Sequence, residues 1–129
     1  MIVVDASVVV EVLLGTAAGR AAADRLFARG ESLHAPELVD VETAQAIRRY
    51  TAIGELKPAR AREAICDLED LPITRYPHAD LLPRIWELRH NLTAYDAAYL
   101  ALAEALRAPL LTRDGGLASA RRRTTIELI

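Results

Sequence analysis

Short apolar runs alternate with longer stretches of helical periodicity along the chain, and this alternation restricts the possible folds more than any other feature. Runs rich in β-branched residues predict strands, and apolar residues spaced three and four apart predict helices. Strands that are separated by helices pair in parallel through right-handed crossovers. The sequence therefore predicts an α/β fold, a three-layer α/β/α sandwich with a parallel sheet.

The pattern places five strands at residues 2–5, 32–35, 73–76, 110–112 and 125–129. It places helices at residues 7–14, 17–29, 36 to about 50, 58–71, 79–90, 93–107 and 117–122. Pro36 is expected to open its helix, because proline suits the first helical turn. With 129 residues and no repeat or linker, the chain is expected to form one domain, residues 1–129.

The compartment can be inferred from cysteine usage and from the apolar segments. Cys66 is the only cysteine, so no disulfide can form within the chain, and a reducing compartment is expected. No apolar stretch is long enough to cross a bilayer, and Asp5 and Glu11 interrupt the apolar N-terminal run. We therefore expect a cytoplasmic protein without membrane contact.

Two acidic residues follow predicted strands. Asp5 ends the first strand, and Asp114 comes shortly after the strand at 110–112. Because open parallel sheets bind ligands beyond the carboxyl ends of their strands, both residues are candidates for a functional site. Each also has an ordinary structural interpretation, Asp5 as a helix N-cap and Asp114 as a turn residue before Gly115. Ser7 is able to cap the helix instead, which would leave Asp5 free.

Glu42 shares one face of its predicted helix with the apolar residues Leu38, Val39 and Ala46. A carboxylate in an apolar stripe is costly unless something neutralises it. Arg49 lies on the same stripe. An Arg49–Glu42 ion pair at the edge of the stripe and a ligand-binding role for Glu42 are therefore both open.

Asp96 lies at the start of a helix that is apolar nearly all round and is expected to be buried. Thr93-x-x-Asp96 matches a capping box, with Asp in place of the usual Glu or Gln. The same position, a buried helix start that faces the strand ends, is also suitable for holding a cation.

The four acids together indicate more than each one alone. Carboxylates that converge on one edge of a sheet repel one another unless cations lie between them. Mg²⁺ and Mn²⁺ prefer oxygen ligands, and two such ions can activate water and stabilise the leaving oxygen of a phosphodiester. The histidines show no ligand spacing with one another or with Cys66, which argues against zinc. The acids of this predicted site are Asp5, Glu42, Asp96 and Asp114.

Four short motifs occur in a characteristic order along the chain. They are Asp5-Ala6-Ser7, Pro36-Glu37-Leu38-x-x-x-Glu42, Thr93-Ala94-Tyr95-Asp96-Ala97 and Leu111-Thr112-x-Asp114. In this order and spacing the chain resembles PIN-domain ribonucleases and, more narrowly, the VapC-type toxins of bacterial type II toxin–antitoxin systems. The resemblance spans the whole chain, and the ordered set is far more specific than any single motif.

The resemblance implies a sheet in the order 3-2-1-4-5 and an endoribonuclease that hydrolyses RNA with Mg²⁺ or Mn²⁺ held by the four acids. Asp5 and Asp96 would be the surest metal ligands. Ser7 and Thr112 would supply hydroxyls that orient the carboxylates or a metal-bound water. The resemblance also implies a homodimer and a cognate antitoxin, which typically lays a C-terminal segment across the groove and often places an arginine near the acids.

The net charge of −2 is unusual for a protein that binds RNA, so phosphate binding would depend on local arginines or on metal. Arginine grips phosphate bidentately, where lysine offers a point charge. Arg49 is the candidate RNA-binding residue because it shares a stripe with Glu42. The run at residues 121–123 is interpreted as a solvated surface.

Two alternatives belong to other functional classes. A phosphorylation-driven receiver domain also has an acidic Mg²⁺ pocket at parallel strand ends, but it needs an acidic pair after the first strand and a lysine after the last. Here Ala6 follows Asp5, and Lys57 lies between helices. A non-catalytic PIN-like binding module would keep the fold and lose acids, whereas all four acids are present.

Overall fold

A parallel sheet of five strands forms the centre of the molecule in the computed structural model, which describes residues 1–119 and 123–129. The strand order is β3-β2-β1-β4-β5, and every pair of neighbours is parallel. Both the predicted fold class and the predicted order 3-2-1-4-5 are confirmed. The strands are β1 (Ile2–Val4), β2 (Leu33–Pro36), β3 (Ile73–Tyr76), β4 (Leu110–Thr112) and β5 (Ile126–Leu128).

Helices connect the strands and cover the sheet. Helix α6 packs on β1, β2 and β4, and it is buried continuously from Ala97 to Ala103, as its apolar sequence predicts. Helix α1 packs against α2, α3 and α4. The helices are α1 (Ala6–Leu14), α2 (Ala17–Phe27), α3 (Leu38–Ala52), α4 (Pro58–Asp70), α5 (Leu82–Glu87), α6 (Ala94–Leu106) and α7 (Gly115–Ala118).

Pro36 does not open a helix, and that prediction is wrong. It is the last residue of β2, where it pairs with Tyr76 of β3, and α3 begins two residues later at Leu38. The ladder continues one residue further through a bond from the Glu37 N–H to the Tyr76 carbonyl. A proline is tolerated at the end of a strand because only one ladder donor is lost.

The single helix expected at residues 79–90 is also wrong. A 3₁₀ turn covers Ala79–Leu81, and the α-helix that follows covers only Leu82–Glu87. Pro83 lies in the first turn of this helix. Because proline cannot donate a backbone hydrogen bond, it starts a new α-helix more readily than it continues an existing one.

The last predicted helix is displaced towards the N-terminus. Helix α7 covers Gly115–Ala118, whereas the prediction began at residue 117. The expected continuation to residue 122, and most of the arginine run at 121–123, lie outside the described residues. The start of α7 is set by the side chain of Asp114, which accepts hydrogen bonds from the N–H groups of Gly116 and Leu117.

The sheet order brings the ends of β1 and β4 side by side, since these two strands are neighbours. Asp5 directly follows β1, and Asp114 follows β4 after one intervening residue.

In the described part of the chain, no single helix is long and apolar enough to span a membrane. Only α1 and α2 taken together, bent by 108°, have the required length and composition.

Candidate active site

Asp5 is buried and occupies the N-cap position of α1, where its side chain makes no capping bond. Its Oδ2 atom accepts hydrogen bonds from Ser7 Oγ and from Thr112 Oγ1, each at 2.7 Å. The sequence left Ser7 open as the cap, and that possibility is wrong, because Ser7 lies inside α1, makes no capping bond and donates its hydroxyl to Asp5. The hydroxyls of Ser7 and Thr112 therefore bind the same oxygen of Asp5, and Asp5 Oδ1 accepts no hydrogen bond from the described residues.

The end of β4 is tied to the end of β1 through these hydroxyls. Thr112 Oγ1 accepts a bond of 3.0 Å from the Asp114 N–H and donates to Asp5. The carboxylate of Asp114 caps α7 through Oδ1, at 2.8 Å from the N–H of Gly116. Capping uses only Oδ1 of Asp114, because Asp114 Oδ2 accepts no hydrogen bond from the described residues.

Asp96 lies in the first turn of α6, and the cap of this helix is Thr93. Thr93 Oγ1 accepts a bond of 3.2 Å from the Asp96 backbone N–H. The capping threonine is confirmed, but this bond uses the main chain of Asp96 and leaves its carboxylate available. A reciprocal bond from the Thr93 N–H to the Asp96 side chain is absent among the described residues.

Glu42 lies on α3, close to the buried side chain of Tyr99. Neither its buried Oε1 atom nor the Tyr99 hydroxyl has a hydrogen-bond partner in the part of the chain that the structure describes. Arg49 is exposed and forms no ion pair with Glu42 or with any other described residue. The Arg49–Glu42 pair that the sequence left open is therefore wrong, and Glu42 keeps an uncompensated buried oxygen.

One cleft of about 340 Å³ gathers the predicted residues. The four acids come from the segments that follow β1 and β4, the second turn of α3 and the first turn of α6. Thr112 is fully buried next to the cleft, where it donates a hydrogen bond to Asp5. The lining includes Asp5, Ser7, Glu42, Arg49, Asp96 and Asp114, together with Glu11, Ala46, Tyr50 and Arg113.

The acids influence one another electrostatically. Burial raises the pKa of Glu42, and the charges of Asp5 and Asp96 raise it further. Burial also raises the pKa of Asp96, with contributions from the charges of Asp114 and Asp5, while the Thr93 hydroxyl lowers it. The pKa of Tyr99 is raised by its burial and by the neighbouring charge of Glu42. The cleft therefore holds negative charge that is only partly compensated by the protein.

A divalent cation fits this donor set. Among residues 1–119 and 123–129, no three acidic, histidine or cysteine side chains form a ready-made metal cage. Mg²⁺, however, is usually held by one or two carboxylates together with waters and substrate phosphate oxygens. The unpartnered Glu42 Oε1 atom and the raised pKa of Asp96 both point to missing positive charge.

Sequence reasoning did not identify four residues of this site: Glu11, Tyr50 and Arg113, which line the cleft, and Tyr99, which is buried next to Glu42. Tyr99 lies three residues after Asp96, so helical spacing alone places the two on the same side of α6. Arg113 lies between Thr112 and Asp114 in the chain, so its position next to two predicted site residues could have identified it. Tyr50 lies eight residues after Glu42 on α3, a spacing that also predicts a shared face.

Comparisons with known proteins agree with this geometry. The PIN domain family model matches residues 2–123. Ribonuclease VapC9 of Mycobacterium tuberculosis is 47% identical over 114 residues, which cover 88% of this chain and 86% of that protein. The chain therefore belongs to the VapC family of PIN-domain ribonucleases, and the family and enzyme class inferred from the motifs are confirmed.

Solved structures show the same fold at low sequence identity. The crystal structure of Mycobacterium tuberculosis VapC20, described as a Sarcin-Ricin loop cleaving toxin, superposes with a TM-score of 0.68 at 22% identity, covering 92% of this chain and 94% of that one. VapBC2 from Rickettsia felis, bound to a DNA fragment from its promoter, has a TM-score of 0.70 at 15% identity, covering 98% of each chain.

The interpretation as a receiver domain is wrong. Receiver domains have the strand order 2-1-3-4-5, whereas the order in this protein is 3-2-1-4-5.

Proposed function

We propose that this chain is the toxin of a type II toxin–antitoxin system and an Mg²⁺- or Mn²⁺-dependent endoribonuclease, with Asp5, Glu42, Asp96 and Asp114 as its catalytic and metal-binding residues. The observation that carries the proposal is the convergence of these four carboxylates, from four separate elements, on one cleft at the carboxyl edge of the sheet. The ribonuclease names of relatives such as VapC9 support the reaction class.

The residues of the chain have distinct roles in this proposal. A bound Mg²⁺ or Mn²⁺ ion would activate water by lowering its pKa and would stabilise negative charge on the phosphodiester oxygens. Asp5 and Asp96 would hold the cation, and Glu42 and Asp114 would complete the acidic environment. Ser7 and Thr112 fix the orientation of Asp5 through the two bonds to Oδ2, which leaves Oδ1 directed to other partners.

We expect the protein to cleave single-stranded or looped RNA in Mg²⁺ or Mn²⁺ and to stop when the ions are chelated. The reason is the all-oxygen donor set, which suits hard cations. The measurement is cleavage of total RNA with mapping of the new ends, with and without excess EDTA. The Asp96→Asn variant, purified in the same way, reports contaminating nucleases. Full wild-type activity in excess chelator would exclude the metal mechanism.

Arg49 is proposed as an RNA-binding residue, because it lines the cleft without an ion-pair partner among the described residues. Arg49→Ala should weaken RNA binding and reduce the log–log dependence of affinity on salt by about 0.7, the value for one lost contact to a single strand. The matched control is Arg48→Ala, since Arg48 is also exposed but lies outside the cleft lining. An unchanged salt slope in Arg49→Ala would assign Arg49 a structural role only.

The proposed partners are a cognate antitoxin and a second copy of the chain. A cleft with uncompensated acidic charge suits an antitoxin segment that places an arginine near the acids. The VapBC2 complex supports such a partner by similarity of fold. A homodimer is supported by the exposed apolar residues Val41 and Tyr95, which line a cavity of about 650 Å³ with Leu38.

A further inference from the structure

A second arginine, Arg113, lines the acidic cleft on the loop between β4 and α7. Its backbone N–H donates to Ser7 Oγ at 3.1 Å, and the same hydroxyl donates to Asp5 Oδ2 at 2.7 Å. Two hydrogen bonds through Ser7 therefore connect the main chain of Arg113 to the carboxylate of Asp5. The position of Arg113 relative to the acids is set by the same contacts that orient Asp5.

The side chain of Arg113 is held as well, by an ion pair from Nη1 to Glu11 Oε1. Glu11 is itself anchored, because its other oxygen, Oε2, accepts a hydrogen bond from Thr16 Oγ1. The Glu11 side chain is only 14% exposed, whereas that of Arg113 is 39% exposed. A largely buried carboxylate thus holds a guanidinium group that remains open to solvent at the cleft.

This ion pair leaves most of the guanidinium donors unused. Within the described residues, Nε and Nη2 of Arg113 donate to no acceptor. The planar fork of arginine matches two phosphate oxygens, and holding it in place beforehand reduces the entropy lost on binding. RNA that approaches four carboxylates requires positive charge nearby, and the net charge of −2 supplies none over long range.

We propose that Arg113, held in place by Glu11, binds a phosphate group of the RNA next to the bond that is cleaved. Arg113 is then a substrate-binding residue and Glu11 a positioning residue. The inference rests on the proposed ribonuclease function, which it extends to a specific contact between protein and substrate.

The test compares steady-state cleavage of a short single-stranded RNA by wild type, Arg113→Gln, Arg113→Lys and Glu11→Gln. Arg113→Gln should raise KM by roughly 10- to 100-fold, the loss of a hydrogen bond to a charged group, with a smaller effect on kcat. Its log–log salt slope should fall by about 0.7. Arg113→Lys keeps the positive charge, so its salt slope should equal the wild-type value. Its KM should lie between the values of wild type and Arg113→Gln, because lysine lacks the planar guanidinium group.

Glu11→Gln separates positioning from charge. It keeps Arg113, so the salt slope should stay at the wild-type value, while KM rises because the guanidinium is no longer held by an ion pair. The matched control is Arg62→Gln, since Arg62 is an exposed arginine of α4 that lines a different surface pocket, beside Cys66. This control should keep the wild-type KM and salt slope.

A wild-type KM and salt slope in Arg113→Gln, measured with a wild type that cleaves only with metal, would overturn the inference and leave the proposed function intact. Absence of metal-dependent cleavage by the wild type would overturn both. If Arg113→Gln melts well below wild type, Glu11→Gln decides, because it retains the arginine. A wild-type KM in Glu11→Gln would then overturn the inference.

Discussion

Replacing Asp96 with asparagine is expected to abolish RNA cleavage without destabilising the metal-free protein. The loss in kcat/KM should be at least about 100-fold, because even residues that merely support metal ligands contribute 10- to 100-fold. The helix cap should survive, since it joins the Thr93 hydroxyl to the main chain of Asp96. Activity and folding are therefore expected to separate in this variant.

The metal-free melting temperature of Asp96→Asn should be unchanged or higher than that of wild type. Folding raises the pKa of Asp96, so its ionised form costs stability at any pH above that raised pKa. Removing the charge relieves this cost, and about 1 kcal/mol would correspond to roughly 2–8 °C. Lowering the pH through the raised pKa protonates Asp96 and should stabilise metal-free wild type, and this contribution is missing in the variant.

Melting curves with and without Mg²⁺ or Mn²⁺ provide the measurement. The ion should stabilise wild type, because a ligand that binds only the folded state raises stability, and it should stabilise Asp96→Asn much less. The matched control is Asp24→Asn, the same substitution at an exposed position of α2 outside the cleft lining. If Asp96→Asn were less stable in chelator and responded to metal like wild type, Asp96 would be a structural cap.

Replacing Gly19 with alanine is expected to have the largest effect on stability. Gly19 is buried in α2, and a methyl group at this position would overlap the main chain of α1 at Glu11 and Val12. Backbone cannot move aside as a flexible side chain can, so the two helices would have to separate. We expect a loss of about 3 kcal/mol or more, at the upper end of overpacking effects, which corresponds to roughly 10 °C in Tm.

Thermal unfolding of Gly19→Ala against Ala21→Ser measures this effect. Ala21 is exposed on the same helix, so one added oxygen should change stability by less than about 0.5 kcal/mol. Alanine is a better helix former than glycine by roughly 1 kcal/mol, so without the close contact Gly19→Ala should be the more stable protein. A Tm at or above the wild-type value would show that α1 and α2 are not packed this closely.

The predicted helix boundaries were reliable where local chemistry alone decides them. Thr16 and Thr93 cap α2 and α6 through their side chains, and Pro58 lies in the first turn of α4. They failed where a local signal competed with pairing in the sheet. Pro36 is compatible with a helix start and with a strand end, and the ladder with β3 decided for the strand.

The roles of the site hydroxyl groups also depend on the tertiary structure and not on local sequence alone. Ser7 near the start of α1 looks like a cap in the sequence, yet its hydroxyl donates to Asp5. The second hydroxyl on that carboxylate belongs to Thr112, 107 residues away along the chain. The local sequence does not distinguish a serine that caps a helix from one that orients a neighbouring carboxylate, because both uses place a serine close to the helix start.

The alternation of strands and helices follows from the sequence pattern, and the ordered motifs indicated the family and the four acids. Periodicity and motif order are properties of the chain and need no knowledge of distant contacts. The unpartnered buried oxygen of Glu42 and the ion pair by which Glu11 holds Arg113 at the cleft became visible only in the folded protein. Burial and ion pairing depend on which distant segments the fold brings together, and that information is absent from any local window of sequence.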